Sequence, residues 1–345
     1  MSSPHSFVST LSAQTKARLC VQFLGSVQLQ LDGQNLTTEV GAKPLALLAY
    51  LAMAMPRPVA RERLAGVLWA DKTEAAARYR LRHMLWNLRR LLGKEQLQAD
   101  DTLCWFVPED LWIDVAEFQR GCVALGINKP RLTPSPADIP TLQALVDLYL
   151  GDFFDRLIVR EAPLFEEWSL AERERLQLLY LEVLWRLAQA QQAAGDEPGC
   201  AQTLARLIEA DPLRERSYRA LMAAYQRQGD RAAALRAYEQ CKLYLANELA
   251  VPPSPETEQL RQSIVKGTLT TAPVLLEAAG RALKAKRYEE ALQACTAAEA
   301  LAGDPNLLNE IVLLRVEIAL ARGRNDEALS LIQAARQALH HLVGK

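Results

Sequence analysis

The sequence predicts a mostly α-helical protein, with three N-terminal helices framed by small antiparallel sheets and stacked helical hairpins behind them. Three observations carry this reading. Residues alternate with period two from Leu19 to Leu36, around the hairpin-turn pair Asp32-Gly33. Helical periodicity then runs through Lys43–Met55, Arg61–Trp69 and Glu74–Leu92, with Gly93 as the stop. Further on, a turn followed by a small residue recurs: Gly195-Asp196 with Cys200, Gly229-Asp230 with Ala234, Lys286-Arg287 with Ala291, and Gly323-Arg324 with Ala328.

The first two turns are 34 residues apart and the last two 37, a period that points to tetratricopeptide-like repeats. The middle interval is 57 residues and contains Val251-Pro252-Pro253-Ser254-Pro255, which interrupts the array. Leu97–Val107 reads as a second hairpin. Asn128–Pro140, with four prolines, reads as a linker. The predicted organisation is a disordered tail over 1–17, a first domain over 18–125, a linker over 126–144, a helical domain over 145–266 and additional hairpins over 267–345.

Composition excludes several classes. The 345 residues are 50% hydrophobic with a formal net charge of −1, so bulk charge attracts no polyanion. The polar, Ser-rich start has no signal-peptide pattern, and no continuous apolar run of about eighteen residues is present. The six cysteines and four histidines are scattered without metal-ligand spacing, which fits a reduced, cytoplasmic chain with no metal. No GxxxxGK[ST], GxSxG, HExxH or paired-carboxylate constellation stands out, so neither an enzyme nor a bound cofactor is expected.

Charge is instead local. Residues 56–94 hold ten Lys/Arg and three Asp/Glu; residues 95–175 hold seven and sixteen. The basic block centres on the third helix. A helical wheel places Leu81, Met84, Leu85, Leu88, Leu91 and Leu92 on one side. It places Arg78, Tyr79, Arg82, His83, Trp86, Arg89 and Arg90 on the other, with Arg80 and Asn87 flanking. Glu74 is the one acid between Thr73 and Lys94, whereas an ordinary solvated helix mixes signs into i,i+4 pairs. Arginines neutralise phosphates and donate two hydrogen bonds to a guanine edge, so double-stranded DNA is the expected partner. Arg82 is assigned a base edge, Arg89 and Arg90 phosphates. Arg61, opening the second helix, completes the candidate set. A solvated face, with Trp86 packed inside the protein, is the bland alternative.

Together, Phe23-Leu24-Gly25, Ala46–Ala52, Val59–Leu64, Leu68-Trp69, Leu81-Arg82, Leu88–Gly93 and Asp114–Phe118 resemble the OmpR-type winged helix. The closer likeness is to its version in the Streptomyces antibiotic regulatory protein family, over about residues 18–120. Gly151-Asp152-Phe153, Trp168, Arg173, Asp211-Pro212-Leu213, Glu215, Gly229, Ala234-Leu235, Tyr238, Leu249, Pro253–Thr257 and Leu260 resemble the bacterial transcriptional activator domain that follows it. The resemblance implies a transcriptional activator that docks its third helix in the major groove, often as two subunits on direct repeats, and contacts RNA polymerase. By position, Arg78, Arg82, His83, Trp86 and Arg89 match the family's DNA-facing residues.

Three features depart from that pattern. Ala60 replaces the usual Ser or Thr cap of the second helix, the wing carries Asp100-Asp101 and no Lys or Arg, and residues 273–342 extend beyond the common core. A scaffold whose repeats and winged helix both bind protein is the competing reading; a ligand or protein partner on the repeats is a further expectation. Residues 18–120 are expected to bind DNA alone, and the terminal hairpins to be separable.

Overall fold

The computed structural model describes residues 17–107, 109–127, 134–266, 272–301 and 305–332. Most of the expected tail, linker residues 128–133 and residues 333–345 lie outside them. The chain forms two compact units, residues 1–252 and 253–345.

In the first unit, β1 (Leu19–Gln22), β2 (Gln28–Leu31) and β3 (Gln34–Asn35) form the expected antiparallel meander. Asp32 and Gly33 turn it with φ of 50° and 80°, the left-handed pair that matches strand twist. Helix α1 (Ala42–Ala54) buries every residue from Leu45 to Ala52 and is therefore an internal helix. Strand β4 (Val59–Ala60) leads into α2 (Arg61–Leu68), whose N-cap Ala60 supplies no side-chain bond. Helix α3 (Glu74–Leu92) is capped by Thr73 and ends at Gly93 with φ of 95°. The hairpin of β5 (Leu97–Ala99) and β6 (Leu103–Phe106) takes β4 as its third strand.

The expectation of purely antiparallel sheets is corrected at β7 (Leu111–Ile113). It pairs with β1 in parallel, Leu19 opposite Leu111 and Val21 opposite Ile113, giving the order β3-β2-β1-β7. A strand that enters after the α1–α3 excursion is free of the hairpin constraint that makes its neighbours antiparallel.

Helices α4 (Asp114–Ala124) and α5 (Ile139–Leu148) follow, so the region read as linker is already helical from Pro136 onward. Next comes α6 (Pro163–Ala193), 31 residues and about 46 Å long at 1.5 Å per residue. Between α5 and α6 the chain returns to the first sheet. Leu24 bridges Phe153, Gly25 N donates to Asp152 O at 2.9 Å, and Phe154 N donates to Phe23 O at 2.7 Å. The approach is backbone to backbone: a Cβ on Gly151 would lie 3.0 Å from Gly25 Cα, and Gly25 itself has φ of 98°. Phe23, Phe153 and Phe154 are fully buried around this seam, with ring centroids about 6 Å apart. The winged helix therefore does not end at a flexible boundary; it shares a core with the segment leading into α6.

Helices α7 (Glu197–Ala210), α8 (Glu215–Arg227) and α9 (Arg231–Leu249) complete the first unit, α7 packing on both α6 and α8, and α8 on α9. The second unit contains α10 (Pro255–Lys266), α11 (Ala272–Lys284), α12 (Tyr288–Leu301) and α13 (Pro305–Ala321), with residues 325–332 again helical. Its core is built largely from small residues, among them Ala279, Ala282, Ala291, Cys295 and Ala298.

All four repeated turns close in one way. Gly195, Gly229, Lys286 and Gly323 have φ between 58° and 79°. The amide of the next residue donates to a carbonyl five residues back, as in Asp196 N to Gln191 O and Arg287 N to Ala282 O. The small residues at the fixed offset, Cys200, Ala234, Ala291 and Ala328, are each at most 2% exposed.

Candidate nucleic-acid interface

Helix α3 divides as its sequence demands. Ala77, Leu81, Leu85, Leu88 and Leu92 are buried, while Arg78, Tyr79, Arg80, Arg82, His83, Trp86, Asn87 and Arg90 are exposed. Tyr79 and Trp86 keep 64% and 57% of their surface, so Trp86 is not packed into this protein's own core. Each ring supports a cation: the Arg82 guanidinium lies 5.9 Å from the Tyr79 centroid, and that of Arg90 lies 5.6 Å from Trp86. Such contacts restrict the arginine rotamers before any partner arrives. The side-chain nitrogen of Asn87 lies 3.2 Å from His83 Nδ1, and the His83 and Trp86 rings are 6.3 Å apart.

Three members of the sequence-derived set are differently placed. Arg78 donates to Glu62 at 2.8 Å and also pairs with Glu74 one turn back, so its charge is largely answered within the protein. Arg89 is half-buried, and its Nε has no hydrogen-bond partner. Arg61 faces the wing: its Nη1 donates to Asp100 O at 2.7 Å, and its backbone N donates to Thr102 O at 2.7 Å.

The acidic wing has a structural explanation. Asp100 Oδ1 accepts from Thr102 N at 2.7 Å, Thr102 Oγ1 at 3.0 Å and Leu103 N at 2.6 Å. These donors, led by the Leu103 and Thr102 amides, hold its carboxyl below the usual value. Asp100 thus shapes the β5–β6 turn. Sequence reasoning set Arg80 aside as a flank residue. It is exposed beside Tyr79 and His83 on a groove of about 580 Å³ that also reaches Lys43 and Trp69. Lys43 lies 5.5 Å from the Trp69 ring centroid and donates to Glu161 O at 3.0 Å.

Behind the interface, Asp114 anchors β1. It is 2% exposed and accepts from Phe23 N, Leu24 N and Val115 N at 2.6–2.9 Å. Burial pushes its carboxyl up to about 7 against the opposing pull of those amides. Arg173 reaches from α6 to the carbonyls of Phe153 at 3.1 Å and Phe154 at 3.4 Å. Tyr50 of α1 packs on Trp168 of α6 with ring centroids 4.4 Å apart, and Arg63 of α2 donates to Tyr50 Oη at 2.6 Å. No helix among the described residues is long and apolar enough to cross a membrane, and those residues contain no His/Cys/Asp/Glu group able to hold a metal.

Residues 113–265 match the family model of the bacterial transcriptional activator domain, which begins inside β7. This is the domain that the likeness to the Streptomyces antibiotic regulatory protein family implied behind the winged helix. Similar curated proteins are named as regulators. The transcriptional regulatory protein EmbR of Mycobacterium tuberculosis is 26% identical over 261 residues, covering 74% of this chain and 65% of its own length. The transcriptional regulatory protein MoaR1 of the same species is 26% identical, covering 76% and 85%. The regulatory protein AfsR of Streptomyces coelicolor is 28% identical, covering 70% of this chain and 24% of its own. This chain therefore spans just under two thirds of EmbR. A solved structure of M. tuberculosis EmbR, in complex with a low-affinity phosphopeptide, superposes with a TM-score of 0.55 at 26% identity, over 73% of this chain and 66% of that one. The matched segment begins in the strand that pairs in parallel with β1.

Proposed function

We propose that this protein is a sequence-specific DNA-binding regulator of transcription that lays α3 in the major groove and activates through contact with RNA polymerase. The observation that carries the reading is the exposed face of α3. Arg80, Arg82, His83 and Arg90 stand with Tyr79 and Trp86 on one side of a helix whose other side is core. Exposed aromatics of this size have no role in a merely solvated face. Beside DNA they pack on sugars and thymine methyls, while the arginines serve base edges and phosphates. Arg82, central on the face, takes a base edge. Arg90 takes a phosphate, and half-buried Arg89 reaches the backbone from the wing side. Arg61 acts through the wing that it holds. The names of EmbR and MoaR1 support regulation of transcription, and the activator domain supports activation.

Two copies on direct repeats fit a helix that reads one short half-site. The repeat helices behind α3 offer surface to a protein partner. Genomic footprinting of the full chain tests the assignment. Protection of discrete, repeated half-sites upstream of transcription units is the expected result. Uniform coverage without preferred sites contradicts sequence-specific recognition.

A further inference from the structure

A second cavity of about 550 Å³ lies where the end of α1, β4 and α2 meet α6, within the range of small-molecule sites. Its walls are the last turn of α1 with Met53 and Met55, the Pro56-Arg57-Pro58 turn, and Arg63 of α2; Tyr50 and Trp168 line its floor. The lining joins aromatic rings, two thioethers and two guanidiniums. Arg63 stacks over the Tyr50 ring at 5.9 Å while donating to its hydroxyl. Arg57 is exposed and pairs with no carboxylate among the described residues. The one acid at the rim, Glu172, is engaged by Arg175 at 2.7 Å. The cavity is thus cationic at its mouth and aromatic at its floor.

We propose that this cavity binds a small planar aromatic molecule carrying one anionic group. The ring lies along the Tyr50–Trp168 floor with thioether contacts from Met53 and Met55, and the anion meets Arg57. The site bridges two functional parts, since Tyr50 and Arg63 belong to the helices that seat α3 and Trp168 belongs to the activator domain. An occupant fixes the spacing between α2 and α6 and changes how α3 is presented. That last consequence rests on the DNA reading above; ligand binding itself does not.

The test uses the full chain and the probe 1-anilinonaphthalene-8-sulfonate, whose planar naphthalene ring carries one sulfonate, followed by fluorescence titration. One saturable site is expected. Arg57→Ala weakens it about tenfold, the worth of one charge-assisted hydrogen bond. Ala54→Trp, which fills the cavity from its α1 wall, removes it, while circular dichroism of both variants stays that of the parent. Unchanged probe affinity in Arg57→Ala overturns the proposal. So does an Arg57→Ala variant that keeps the probe but loses DNA affinity with a shallower salt dependence, because Arg57 is then a phosphate contact. A DNA titration with and without saturating probe is the separate arm. A shift in DNA affinity supports the coupling; probe binding with no shift overturns the coupling and leaves the site standing.

Discussion

Helix α3 carries its chemistry on consecutive turns of one element, whereas the seam at Phe23 and Phe153 gathers residues from four separated stretches of chain. The two regions tolerate change differently. On the proposed reading, an exposed arginine on α3 contributes to a partner and little to the fold. A buried phenylalanine in the seam contributes to the fold, and through it to the placing of α3. The comparison separates residues whose loss removes recognition from residues whose loss removes the protein.

The largest effect is expected at the seam. Phe153→Ala removes a fully buried ring that contacts Phe23, Phe154 and Trp168, and should cost about 3–5 kcal/mol. Chemical denaturation of the first unit measures it; a cost below about 1 kcal/mol would mean that the winged helix and activator segment do not share a core. A fragment of residues 18–120 loses Phe153, Phe154 and Trp168 together, so it should be unfolded or aggregated, against the sequence-based expectation of an independent module. A cooperative melt of that fragment restores the expectation.

Recognition comes next. Arg82→Ala should weaken binding to a preferred site by about 1–3 kcal/mol and relax preference at one base pair, with an unchanged melting temperature. Competition among single-base variants of the site reads this directly. Arg78→Ala should cost less, because Glu62 and Glu74 already answer that charge. Equal losses at Arg78 and Arg82 would erase the distinction drawn between them.

The remaining effect is a pH slope. The Asp114 carboxyl is raised from an ordinary 3.8 to about 7, so between those values the folded chain holds a proton that the unfolded chain has lost. Stability is thus full below about 4 and falls as pH rises toward 7. Melting temperatures of the parent between pH 5 and pH 8 should decline, and Asp114→Asn should flatten the slope. A parent curve that rises over this range contradicts the assignment.

Much of α3 was legible in the sequence because helical periodicity is local. Its limits, its apolar stripe and the exposure of Tyr79 and Trp86 all follow from spacing within nineteen residues. The repeated turns were legible for the same reason, down to Lys286 standing in a left-handed position that glycine fills in the other three. The seam was present only in pieces. Phe23-Leu24-Gly25, Asp114, Gly151-Asp152-Phe153, Trp168 and Arg173 each carried resemblance to a family domain. Nothing in their spacing said that they meet, since a parallel strand and two isolated bridges leave no periodic trace. The partners of Arg78 and Arg61 were hidden likewise, because Glu62 and the Asp100 carbonyl come from other elements.

Binding of duplex DNA by α3 is the centre of the account, and a salt titration of the full chain tests it most directly. Released counterions make the logarithm of affinity fall linearly with the logarithm of salt, by a slope of about −0.9 for each phosphate neutralised. The prediction is a steep negative slope that becomes shallower by about one phosphate in Arg90→Ala. Salt-independent affinity, or a slope that Arg90→Ala leaves untouched together with unchanged affinity in Arg82→Ala, would contradict it.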